Sequence, residues 1–248
     1  MSTKYIYTFG LIMTVVVALL LAGFRTATAG AAARNEDIFN KREILATVAD
    51  PLEAAGSPIA SLSDEDVLRI FDEQVEQIVV NAQGEIVEGM TVADIDLATE
   101  YKKPEEQRLY PINVFNLDNQ KYYVFSVRGN GLWDAIWGNI ALASDLNTVT
   151  GASFDHAGET PGLGAEIKDN AGWKAQFEGK KIYDGDKFVS ILVRKGGAID
   201  MEHEVDGLSG ATVTADGVTK MLWNGLKAYQ PYIEEQRAAT GVTSMNLK

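Results

Sequence analysis

Tyr122-Tyr123-Val124-Phe125-Ser126-Val127, Trp137-Gly138-Asn139-Ile140-Ala141-Leu142 and Ala152-Ser153-Phe154 follow one another within a single stretch of the chain. Short runs rich in aromatic and β-branched side chains, bounded by turn residues such as Gly129-Asn130-Gly131, read as strands. Outward from this stretch, Glu85 to Val87, Ile112 to Phe115 and Phe188 to Val193 repeat the pattern, so the core is expected to be predominantly β and antiparallel. Helical spacing brackets it. Asn35 is placed to cap a short helix through Asp37, Phe39 and Ile44 to about Val48, which Pro51 to Pro58 should break. Ser63 and Asp66 form a capping-box pattern ahead of Val67, Ile70, Phe71, Val75, Ile78 and Val79, which predicts a second helix reaching Val79. A short helix fits Trp173 to Phe177, and Val218, Met221, Leu222, Leu226 and Tyr229 mark a terminal amphipathic helix. The fold class is α+β.

Composition removes several kinds of chemistry. Across 248 residues, 22 Lys and Arg face 35 Asp and Glu, a formal charge of -13 that repels phosphate backbones and argues against nucleic acid as a partner. With no cysteine, there is no disulfide, iron–sulfur ligation or thiol catalysis. Only His156 and His203 are available as imidazole ligands, so a histidine-rich metal site is not expected. Redox activity would need another cofactor.

Tyr5 to Phe24 reads YIYTFGLIMTVVVALLLAGF, an uncharged run whose helix would rise ~30 Å, the depth of a bilayer's hydrocarbon core. It reads as a single membrane anchor. The competing reading is a cleaved export signal, because Ala27-Thr28-Ala29 before Gly30 resembles a small-residue cleavage site. Lys4 on one side is opposed by Arg25 and Arg34 on the other, so charge does not decide the orientation.

Chemistry concentrates in two later segments. The first is Asp206-Gly207-Leu208-Ser209-Gly210-Ala211-Thr212-Val213-Thr214, directly ahead of the terminal helix. Small residues leave the backbone accessible there, and the helix's first N–H groups, with the positive end of its dipole, favour a phosphate. The plainer reading is that Ser209, Thr212 or Thr214 only caps the helix. The second segment is His156-Ala157-Gly158-Glu159-Thr160-Pro161-Gly162-Leu163-Gly164, preceded by Gly129-Asn130-Gly131-Leu132-Trp133. Its glycines allow a tight loop and close approach of backbone to a planar ligand; by itself such a loop reads equally as a turn.

Taken together, these segments resemble a family of flavoproteins. Asp206 through Thr212 matches the Asp-x-x-Ser/Thr-Gly-Ala-Thr signature of proteins modified by bacterial flavin transferases. With the Glu159-Thr160-Pro161-Gly162-Leu163-Gly164 loop and the Gly-Leu-Trp element, the chain is similar to the C-type flavin subunit of the sodium-translocating NADH:quinone reductase, itself related to the G-type subunit of the Rnf complex. The resemblance implies FMN joined covalently by a phosphoester to Thr212, with Asp206, Ser209, Gly210 and Ala211 as the surrounding motif and Thr214 as a neighbour. It implies that Glu159, Thr160, Pro161, Gly162, Leu163 and Gly164 form the flavin-side loop, with Glu159 and Asp206 as loop-fixing or recognition residues instead of catalytic carboxylates. Residues 1–26 would then anchor the chain, 27–107 form a helical and β N-terminal part of the soluble region, and 108–248 form the FMN-binding domain. The resemblance also implies an electron relay coupled to sodium export, a hetero-oligomer of six subunits, maturation by a flavin transferase, and a periplasmic domain on the bacterial inner membrane. An Rnf-type subunit or an exported non-redox ligand-binding protein would share much of this pattern.

Overall fold

The computed structural model describes residues 2–239 and 241. Met1, Thr240 and residues 242–248, which belong to the ranges expected for the first and last segments, lie outside the described residues. The chain divides into two compact units, residues 1–41 and 42–248.

The first unit is helical. Helix α1 (Thr3–Ala46) is 44 residues long, ~66 Å at 1.5 Å per residue. It contains an 18-residue window of mean hydropathy 2.3 with none of its surface buried, which is long and apolar enough to cross a membrane. Asn35, expected to start a new helix, lies inside α1. The small-residue stretch before it contains Ala27, Ala29, Ala31, Ala32 and Ala33. Alanine is the strongest helix former, so the turn continues instead of breaking.

In the second unit the end of α1 is followed by α2 (Ala49–Ala54) and α3 (Asp64–Gln74). The first helix ends at Ala46, close to the expected Val48, but Pro51 is not what breaks it: Pro51 sits in the first turn of α2, where a missing N–H is tolerated, and α2 ends at Ala54. Arg42 donates to the Leu62 carbonyl at 3.0 Å and to Asp64 at 2.8 Å, tying the end of α1 to the start of α3. The Ser63–Asp66 capping box forms as expected. The helix then ends at Gln74, and Val75–Val80 is strand β1. Val-Glu-Gln-Ile-Val-Val satisfies helical spacing and β propensity alike, and pairing with a long neighbouring strand decides for the strand.

Strands β1, β2 (Tyr110–Leu117), β3 (Gln120–Asn130), β4 (Ala135–Leu142) and β5 (Val149–His156) form one antiparallel sheet in sequence order. Between β1 and β2 lies a short helix, α4 (Leu97–Glu100). The β1–β2 pairing, with Ile78 opposite Ile112, crosses the boundary expected near residue 107. Glu85–Val87, expected as a strand, contributes a single bridge, Ile86 to Val80.

Both faces of the sheet are covered, which explains the nearly continuous apolar strands. Val124 and Phe115 point to one face, with Leu45, Leu52, Val67, Ile70 and Phe71. Phe125, Val127, Ile136 and Ile140 point to the other, with Val218, Met221, Leu222 and Leu226. That second face carries the site. It is bordered by α5 (Glu166–Asp169), α6 (Ala171–Ala175), the hairpin β6 (Tyr183–Asp184) and β7 (Lys187–Phe188), and the parallel pair β8 (Leu192–Arg194) and β9 (Glu204–Asp206). The strand expected over Phe188–Val193 is thus divided in two, with Ser190 between them at φ 59. Helices α7 (Thr212–Ala228) and α8 (Gln230–Ala239) close the unit. A Cβ on Gly225 would lie 2.5 Å from Val127, and one on Gly217 would collide with the Asn130 carbonyl, so both glycines let α7 lie close against β3.

Candidate functional site

The start of α7 defines the site. Its N-cap is Ala211, and no side chain caps the helix. Ser209, Thr212 and Thr214 therefore do not act as its cap, and the first-turn amides point outward from a 17-residue helix with its dipole behind them. Thr212 is the first helical residue and is half-buried, while Ser209 and Gly210 are exposed and Ala211 is buried. Gly210 has φ 74, a left-handed conformation that glycine adopts without strain.

Asp206 anchors the approach to this turn. Its carboxylate accepts the Ala198 N–H at 2.8 Å, its own N–H donates to the Gln176 side chain at 2.9 Å, and its carbonyl accepts the Trp173 indole N–H at 2.7 Å. Downstream, the Thr219 hydroxyl accepts the Val193 N–H at 3.0 Å, which fixes β8 on α7. These three hydrogen bonds tie Asp206 to α6, to the loop after β8 and to Gln176.

The glycine-rich loop reaches the same place from the end of β5. Thr160, Pro161, Gly162 and Leu163 are exposed and Gly164 is buried. The Thr160 carbonyl accepts the N–H groups of Leu163 and Ala165, both at 3.1 Å, closing a tight turn with Gly162 at φ 72. Leu163 lies over Gly210, where an added Cβ would come within 2.7 Å of its Cδ2.

Glu159 joins the segments. It is 4% exposed. One carboxylate oxygen accepts the Trp133 N–H at 2.9 Å, the other accepts the Thr214 hydroxyl at 2.7 Å, and its own N–H donates to His156 Nδ1 at 3.1 Å. Burial pushes its carboxyl up, but hydrogen bonds from Thr214 and from the amides of Trp133, Asp134 and Leu132 outweigh this and hold it below the usual range. Added Cβ atoms on Gly131 and Gly164 would both strike its carboxylate oxygens. One buried anion therefore ties together the β3–β4 turn, the loop after β5 and the first turn of α7.

Around this junction several large apolar side chains remain open: Trp133 is 69% exposed, Leu132 51%, Val213 52% and Leu163 41%. Trp133, Leu132 and Val213 were not assigned to the site from sequence. The signal for the first two was present in a glycine-flanked turn that carries bulky apolar residues with nothing of its own to bury them. An uncapped helix N-terminus beside a half-buried hydroxyl suits a phosphate monoester, and the apolar rim suits a planar group. The donor set fits FMN.

The FMN-binding domain family matches residues 131–227, a range holding both the loop and the start of α7. The C-type subunit of the Na(+)-translocating NADH-quinone reductase of Pseudomonas aeruginosa is 30% identical over 261 residues, covering 95% of this chain and 97% of the relative. Its counterpart in Vibrio vulnificus is 44% identical over 127 residues, but this match spans only about half of each chain, 50% and 49%. The crystal structure of the corresponding protein from Parabacteroides distasonis superposes with a TM-score of 0.69 at 36% identity, covering 82% of this chain and 94% of that one.

Proposed function

The chain belongs to the family of C-type subunits of the Na(+)-translocating NADH-quinone reductase, and from that premise we propose that it carries FMN as a phosphoester on Thr212 and relays electrons between partner subunits. The observation that supports this most directly is the meeting of two segments about fifty residues apart in sequence, through the Glu159–Thr214 hydrogen bond and the contact of Leu163 with Gly210.

On this reading the work divides as follows among the residues of the two segments. Thr212 Oγ1 would be the attachment point: an oxygen–phosphorus bond would form there as the phosphoanhydride of a flavin dinucleotide breaks, with the nucleoside monophosphate leaving and the hydroxyl proton passing to a base of the flavin transferase. The uncapped amides at the start of α7 compensate the phosphate charge. Ser209, Gly210 and Ala211 leave that approach open, and Asp206 fixes its register. Thr160, Pro161, Gly162 and Leu163 would hold the ring, and Gly164 leaves space for the Glu159 carboxylate. When bound, the flavin supplies reversible electron transfer; the chain supplies position and electrostatics. No catalytic carboxylate is assigned.

The helix at Tyr5–Phe24 serves as the membrane anchor, with the second unit on the periplasmic side of the bacterial inner membrane in an assembly of six subunits whose electron flow drives sodium export. Intact-mass measurement after coexpression with a flavin transferase tests the central assignment. The expected increment is one FMN less water, located on the peptide containing Thr212. An unmodified peptide would overturn the assignment.

A further inference from the structure

Burying a carboxylate normally demands a cation partner. Glu159 is buried, yet among the described residues no ion pair reaches it. Its oxygens are held only by neutral donors, the Thr214 hydroxyl and backbone amides of the β3–β4 turn. Such dipoles stabilise the anion without cancelling its net charge. The space around it is also fixed, since Gly131 and Gly164 lie so close that neither tolerates a Cβ. The group is thus an anion held at a defined place, between Gly131 and Gly164 and next in the chain to the exposed Thr160–Leu163 segment.

Resting on the flavin reading above, we propose that Glu159 is the electrostatic tuning residue of the bound flavin, lowering its reduction potential. Reduction adds an electron to the ring system, and an anion without a cation partner at the base of the loop that would hold the ring opposes that gain of charge. Coulomb's law at an effective dielectric constant of ~20 and an assumed separation of ~12 Å gives about a tenfold effect on the one-electron equilibrium. Thr214, which holds the carboxylate from α7, is a positioning residue for it.

The test compares Glu159→Gln with Asp118→Asn in the full-length, flavin-loaded protein. Glutamine keeps the shape and a hydrogen bond to Trp133 while removing the charge. Asp118 lies in the β2–β3 turn, at the opposite end of β3 from the Gly131–Asp134 turn. Potentials are read by spectroelectrochemical titration with dithionite and mediators. The expected result is a rise of about tenfold in the equilibrium for Glu159→Gln, ~59 mV for one electron, with no shift for Asp118→Asn. A loaded Glu159→Gln protein with the wild-type potential overturns the inference while leaving the flavin assignment intact. A wild-type chain that takes up no flavin overturns the flavin reading and this inference with it. Should Glu159→Gln fail to fold or to load, the redox-difference infrared spectrum of wild type with and without 13C-glutamate decides. A label-sensitive carboxylate band supports the inference, and its absence overturns it.

Discussion

Gly164→Ala offers the sharpest test of the junction at Glu159. An added Cβ there collides with a Glu159 carboxylate oxygen, lies 2.8 Å from Thr214 Oγ1 and 3.1 Å from the Glu159 Cβ. None of these is the free end of a surface chain: Glu159 and Thr214 are both buried. Overpacking of this kind costs ~1–3 kcal/mol, and separating the buried hydroxyl from the carboxylate costs ~1–3 kcal/mol more. A total of about 3 kcal/mol lowers the melting temperature of a domain this size by ~6–12 °C. The control is Gly158→Ala in the same loop, where the nearest atom to an added Cβ is Asp134 Cβ at an ordinary 3.7 Å. Thermal unfolding of the flavin-free protein in detergent, followed by tryptophan fluorescence, measures both. Two variants melting at the same temperature would refute the claim that the loop and α7 are locked through Glu159.

Thr212→Ala should abolish covalent flavin while leaving the melting temperature nearly unchanged, because the Thr212 side chain makes no capping bond; a fluorescent flavin band persisting on a denaturing gel contradicts it. Thr214→Ala should retain the flavin but lose ~1–3 kcal/mol of stability, since it deprives the buried Glu159 of a donor. Deleting residues 1–33 should yield a soluble, acidic protein, whereas N-terminal sequencing of the mature chain that begins at Gly30 would replace the anchor reading with cleavage. Glu204 is held down to about 2 by its hydrogen bonds with Arg194 and the amides of Ile199 and Asp200, which outweigh burial. Its folded value lies below the usual 4.5, so its contribution is complete above that pH and is lost as pH falls from there toward 2. Unfolding midpoints measured against pH should fall less steeply through this window in Glu204→Gln than in wild type.

What is local in this protein was readable along the chain. The long apolar N-terminal helix follows from an uninterrupted apolar run, the capping box at Ser63 from two side chains three residues apart, and the strands of the sheet from short β-branched and aromatic runs between turns. The small-residue motif ahead of α7 was legible as the approach to the terminal helix, but that none of its hydroxyls caps that helix emerged only in the structure. Where two local preferences agreed with the same residues, the sequence was indifferent. Val75–Val80 suits helix and strand alike, and became a strand because Tyr110–Leu117 lies beside it to accept its hydrogen bonds. The site's organisation was beyond local reading. A glutamate in a glycine-rich loop carries no mark that it will be buried without a cation, nor that its partners will be a hydroxyl 55 residues away and an amide 26 residues away. Only folding brings the β3–β4 turn, the loop after β5 and the first turn of α7 to one point, because those positions depend on sheet register and on how closely α7 can approach β3.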